Sequence, residues 1–182
     1  RPSIIPNLLQ AISTNIAKGE KQICLFELGP IFGNIKDMHK KIPDIQEIGL
    51  AGVRYGKKTK HWLETERDYD LFDVKSDLES LLKCCKLSPS SYSIESEGIA
   101  DYYHPRKSGT FFFPDSASGA MFGEIHPDII KKLDIDQPVF AFELSLFSLP
   151  HEVVDKKKIF KNKYFQKVER DFAFIVDKNV KA

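Results

Sequence analysis

The sequence predicts an α+β domain, an antiparallel sheet with helices packed on one face. Two observations carry that prediction. Short period-two apolar runs follow one another through connections too brief for parallel crossovers, and between them lie a few stretches with apolar residues at helical spacing. Composition agrees: 182 residues with a hydrophobic share of 42% and a charged share of 29% describe an ordinary globular chain. That length accommodates one sizeable domain and a short extra piece.

The first element is a helix, because Ile5, Leu8, Leu9, Ile12 and Ile16 form one apolar face. Pro6 sits in the first turn, where a missing N–H is no loss, and Gly19 supplies the stop. Gln22 to Phe26 and Ile48 to Tyr55 alternate as strands, with Gly29-Pro30 read as a break between them. Segment 33–47 is polar and is expected to be a loop.

From Phe72 to Leu87 the spacing of Val74, Leu78, Leu81 and Leu82 is helical, with Asp73 suited to cap the first turn. A strand over Tyr92 to Glu95 follows Pro89. Thr110 to Phe113 and Ala120 to Phe122 read as two strands joined by a turn over 114–119. Pro127 opens a short helix through Leu133. Val139 to Leu146 then alternates, with Val139, Ala141, Glu143 and Ser145 on one face and Phe140, Phe142, Leu144 and Leu146 on the other.

Residues 1–148 are thus expected to form the main domain. A composition shift marks 149–163 as a solvated linker, through Pro150, Asp155, Lys156, Lys157, Lys158, Lys161 and Lys163. Residues 164–182 begin a second domain, in which Arg170 to Asp177 has a compact strand pattern. The chain starts at Arg1 and stops at Ala182 just after that pattern, so it is read as a piece of a longer polypeptide.

Formal net charge is +1, from 27 basic against 26 acidic residues. No global field draws in nucleic acid, so any RNA contact must be local. Cys24, Cys84 and Cys85 make neither a disulfide framework nor a zinc pattern and are read as free thiols in a reducing cytosol. No apolar run approaches the roughly 18 residues of a membrane span, and no signal-peptide pattern opens the chain. The expected location is cytoplasmic.

Seven segments occur in a telling order: Arg1 to Leu9, Phe26 to Gly29, Tyr69 to Lys75, His104-Pro105, Gly123 to Pro127, Pro138 to Glu143 and Arg170 to Asp177. In that order they resemble the synthetase-like core of the bacterial phenylalanine–tRNA ligase β-subunit family, running into its ferredoxin-like anticodon-binding domain. The resemblance covers nearly the whole length. Asn7 and Ser76 stand where the family has glycine, and Arg106-Lys107 replaces a Gly-Arg pair.

The resemblance implies a class II aminoacyl-tRNA synthetase-like fold in a non-catalytic copy. It implies an enzyme of two α and two β chains, in which the α subunit uses ATP and magnesium to attach phenylalanine to its tRNA. This segment is expected to bind no cofactor or metal and to support assembly and tRNA positioning. Synthetase-like cores of the family meet along a helical interface, so Ile5, Leu8, Leu9 and Ile12 are the candidate contact with α. Their alternative role is packing on the chain's own sheet.

Adenylate chemistry needs permanently charged, bidentate arginines at the α-phosphate. Neither an Arg-x-Glu strand nor a glycine-rich strand ending in arginine occurs, so no catalytic residue is assigned. His104, His126 and Asp101 could hold a metal, but a structural role for His126 before the Pro127 helix is simpler. Asp68, Asp70 and Asp73 are likewise read as capping rather than cation-binding, and Cys24 has no histidine partner as a nucleophile. Lys156, Lys157, Lys158, Lys161, Lys163 and Lys167, interleaved with Phe160, Tyr164 and Phe165, are the candidate tRNA contact. The alternatives are a stand-alone RNA-binding module using those lysines and a self-sufficient ATP-dependent ligase on the same fold.

Overall fold

The computed structural model describes residues 1–32, 46–60, 62–63, 65–114, 119–150 and 168–179. It divides into two units, Arg1–His151 and Glu152–Ala182. The first unit holds α1 (Ile5–Ile16), β1 (Gln22–Phe32), β2 (Gln46–Lys58), β3 (Arg67–Asp68), α2 (Leu71–Cys84), β4 (Ser93–Glu95), β5 (Tyr103–Phe112), β6 (Ala120–Ile125), α3 (Pro127–Lys132) and β7 (Val139–Ser145). The antiparallel path is β1-β2-β7-β6-β5-β4, with β3 a short addition to β2.

The helices do not share one face, as the sequence had suggested. Ile5, Leu8, Leu9 and Ile12 of α1 and Ile130 of α3 pack with Ile23, Ala51, Val53, Tyr55, Ile125, Val139 and Ala141. On the opposite side, Val74, Leu78 and Leu82 of α2 pack with Leu50, Phe111, Phe122, Phe140, Phe142 and Leu144. Alternate residues of β2 and β7 feed the two cores, so these central strands are buried on both faces. Six of the seven residues of β7 are buried for that reason.

Where Gly29-Pro30 suggested a break, β1 runs straight on to Phe32 in register with β2. The reason is position. β1 is an edge strand, and the Pro30 carbonyl points out of the ladder, accepting from Arg1 Nε at 3.4 Å. The N of a strand residue points the same way as its carbonyl, so the proline's missing donor falls on the open edge. Two other glycines are needed sterically. A Cβ on Gly52 would lie 2.4 Å from the Phe142 ring, and Gly56 has φ +85° with Lys21 O where a Cβ would sit.

α1 ends at Ile16, and Gly19 follows at φ +92° as the stop. For α2 the cap is Asp70 rather than Asp73: Asp70 accepts from Phe72 and Asp73 N–H, and Asp73 accepts in return from Asp70 N–H at 2.9 Å. Asp70 is extended, as an N-cap must be, whereas Asp73 already lies in the helix. Most of segment 33–47 lies outside the described residues, but Gln46 and Glu47 belong to β2 rather than to a loop.

In the second unit, residues 168–177 carry no ladder and are exposed, a departure from the strand expected over Arg170 to Asp177. Phe172 and Phe174 stack on one another with centroids 6.3 Å apart. An alternating pattern becomes a strand only when a partner receives its N–H and C=O groups. The Asp177 carboxylate accepts from Asn179 N–H at 2.9 Å and closes a turn there.

Candidate functional site

On the α1 side of the sheet, near the N-terminal end of α1, lies a depression of about 250 Å³. Gly49 and Ala51 of β2 line it together with Gly119. Ile4, Ile31 and Met121 form apolar walls, and Glu47, Tyr102, Glu143 and Ser145 supply the polar groups.

Glu143 is the chemical centre of this site. It is 9% exposed, because it alternates along β7 with Val139 and Ala141 on the core face. Ser3 Oγ donates to one carboxylate oxygen at 2.7 Å, and the Tyr102 hydroxyl donates to the other. Burial pushes the Glu143 carboxyl above its usual range, and the two hydroxyl bonds only partly oppose that. Burial and the neighbouring Glu143 charge also raise the Tyr102 phenol. At the same end, Ser145 Oγ donates to Glu47.

A comparison inside the same sheet shows what Glu143 lacks. Glu124, also buried, accepts from Lys107 Nζ at 2.7 Å. Among the described residues that line the depression, none is basic.

Three of the segments that carried the resemblance converge here. Arg1 pairs with Glu27, and its guanidinium lies across Gly29, where a Cβ would come 2.8 Å from Nη2. Pro2 lines the depression. Ser3 bridges the two parts, accepting from Ile5 N–H at 3.1 Å while donating to Glu143. The Arg1-Pro2-Ser3 triplet therefore ties β1, α1 and β7 together.

Other candidates fall elsewhere. Ile5, Leu8, Leu9 and Ile12 are between 0% and 5% exposed and pack in the chain's own core, the alternative role the sequence left to them. Lys156, Lys157, Lys158, Lys161, Lys163 and Lys167 lie outside the described residues. His104 Nδ1 accepts from Arg106 N–H at 3.1 Å and His126 Nδ1 from Asp128 N–H at 3.3 Å, so each ring serves as a local cap. Among the described residues no group of three or more His, Cys, Asp or Glu is placed to hold a metal. Cys24 Sγ contacts the Tyr69 hydroxyl and Arg54, with no histidine among these contacts.

Sequence reasoning placed Glu143 on the right strand face but assigned it no role, and it passed over Ser3, Tyr102 and Glu47. The available signal was a glutamate at the core-facing phase of a strand otherwise filled with Val and Ala. Its hydroxyl partners lie 140 and 41 positions away, beyond any local pattern.

Residues 1–146 match the family model described as the phenylalanyl tRNA synthetase beta chain CLM domain. The phenylalanine–tRNA ligase beta subunit of Wolbachia sp. subsp. Brugia malayi is 39% identical over 181 residues, 99% of this chain. That of Paramagnetospirillum magneticum is 38% identical over 186 residues, and that of Rickettsia prowazekii 34% over 184, each across 100% of this chain. The chain spans 22% of the length of each of these relatives. Among solved structures, PylSc, a pyrrolysyl tRNA synthetase from Desulfitobacterium hafniense, superposes with a TM-score of 0.53 at 16% identity, covering 80% of this chain and 47% of that one. At that identity the likeness speaks for the fold alone.

Proposed function

This chain belongs to the phenylalanyl-tRNA synthetase β-chain family, and on that premise we propose that it is a synthetase-like segment that scaffolds the ligase without catalysing. In this reading an α subunit attaches phenylalanine to its tRNA using ATP and magnesium, in an assembly of two α and two β chains. The β segment contributes a folded sheet for subunit assembly and tRNA positioning.

The observation that carries the proposal is the charge of the depression on the sheet. A triphosphate requires fixed cations or a cluster of backbone N–H groups. Among the described residues the lining offers the carboxylates of Glu47 and Glu143 and no basic side chain. Arg1, the guanidinium nearby, is engaged by Glu27 and the Pro30 carbonyl. These residues do not fit a nucleotide, and an anion entering here would meet like charge in a partly desolvated site.

The test is phenylalanine-dependent ATP–pyrophosphate exchange. The α subunit assembled with full-length β is expected to exchange, and this chain alone is expected to give background only. Exchange by the chain alone would transfer the chemistry to it and end the scaffold reading. The Lys156 to Lys163 segment belongs to the same proposal as a tRNA backbone contact. Reversing the charge of Lys156, Lys157 and Lys158 should weaken tRNA binding and flatten its salt dependence; an unchanged salt slope would remove that contact.

A further inference from the structure

The depression that refuses an anion has the complementary character for a cation. Glu143 is a buried carboxylate held by two hydroxyl donors, with no positive charge among the described residues lining the site. Two oxygens of an ionised carboxylate offer about four acceptor positions, and Ser3 and Tyr102 use two of them. A buried carboxylate is normally paired, as Glu124 is by Lys107. Glu47 at the same site adds a second negative charge.

The walls set the rest of the ligand. Ile4, Ile31 and Met121 are aliphatic or thioether surfaces, and Gly49, Ala51 and Gly119 add no long side chain to the lining. A volume of about 250 Å³ holds a body of on the order of ten non-hydrogen atoms or fewer. Convergent polar groups at one end of an apolar recess are the usual build of a small-molecule site.

We infer that this recess binds a small aliphatic primary ammonium ion, with the ammonium on Glu143 and Glu47 and the alkyl part against Ile4, Ile31 and Met121. A free amino acid suits it less well, because its own carboxylate would face Glu47 and Glu143. The inference goes beyond scaffolding and does not depend on it. A chain that failed to bind amine could still scaffold, and the exchange assay above reads a different site chemistry.

The probe is isoamylamine, titrated into this chain by calorimetry and by following the Met121 methyl resonance, with isoamyl alcohol as the neutral isostere and leucine as the zwitterionic one. Saturable amine binding with a dissociation constant on the order of 1 mM is expected, with a shift at Met121. The alcohol and leucine should bind at least about tenfold more weakly. Glu143→Gln should weaken amine binding about tenfold, the worth of one charge-assisted hydrogen bond. If that variant does not fold, Glu47→Gln, at a half-buried position, should weaken it about threefold. No saturable binding, equal binding of alcohol or leucine, indifference to both substitutions, or binding without a Met121 shift would each overturn the assignment.

Discussion

Arg54 and Asp77 meet through two parallel hydrogen bonds, Nε to Oδ2 at 2.6 Å and Nη2 to Oδ1 at 2.7 Å. The pair joins β2 to α2 across the aromatic core, and the same guanidinium sits 5.0 Å from the centre of the Tyr69 ring. Hydrogen bonding to Asp77, working against burial, holds the Arg54 group above its ordinary value. A guanidinium serves here because only a planar fork can satisfy both carboxylate oxygens while stacking on a ring.

Asp77→Asn should therefore lower stability by about 1 kcal/mol, since both partners remain partly solvated and an exposed pair contributes little more. Urea unfolding of the wild type and variant checks this. A double-mutant cycle with Arg54→Gln should return most of that loss as coupling; a coupling near zero would mean that packing alone places α2.

Ile12→Ala should cost about 2–5 kcal/mol, because Ile12 is fully buried in the chain's own core. The unfolding midpoint of this chain by itself reads the effect. A loss of affinity for an α subunit, with stability intact, would instead place Ile12 at an interface.

The Glu143 carboxyl is raised in the folded state, chiefly by burial. A folded value above the unfolded one contributes stability that is present below the unfolded value, about 4.3. That contribution is lost as pH rises through the folded value. Glu143→Gln keeps an acceptor for Ser3 or Tyr102 but removes the titration. Melting temperature should thus decline less steeply for the variant as pH rises above the ordinary glutamate value. Equal slopes would show that Glu143 ionises no differently in the two states.

The α2 cap behaves with the opposite sign. Burial tends to raise the Asp73 carboxyl, but hydrogen bonds from Arg67 and from Asp70 N–H outweigh it and hold the group below its ordinary value. Its contribution is present above the unfolded value and fades as pH falls through the folded one. Asp70→Ala should cost about 1 kcal/mol by freeing two first-turn N–H groups, and Asp70→Asn should recover most of that by thermal melting.

Much of the fold could be read from the chain, and the places where reading failed share one cause. The apolar repeat of α1 marked its own buried face, and the alternation in β7 identified its two sides correctly. Gly29-Pro30 misled because a proline breaks a central strand and not an edge, and only pairing reveals which strand is an edge. Asp73 was a reasonable cap, but Asp70 lies three residues nearer the turn and takes the part. The Phe140, Phe142 and Leu144 face of β7 already asked for cover as firmly as the Val139 and Ala141 face, which foreshadowed helices on both sides.

Local order and family membership were therefore determined by the sequence itself, since periodicity, turn chemistry and short ordered segments act within a few residues. The tertiary structure alone decided that Ser3 and Tyr102 would meet at Glu143 and that Arg1 would be engaged by Glu27. It also decided that the α1 stripe would be consumed inside the chain. Each of those outcomes joins positions far apart along the backbone. Chain reversal brings such groups together, and their charge and burial acquire meaning only once they touch.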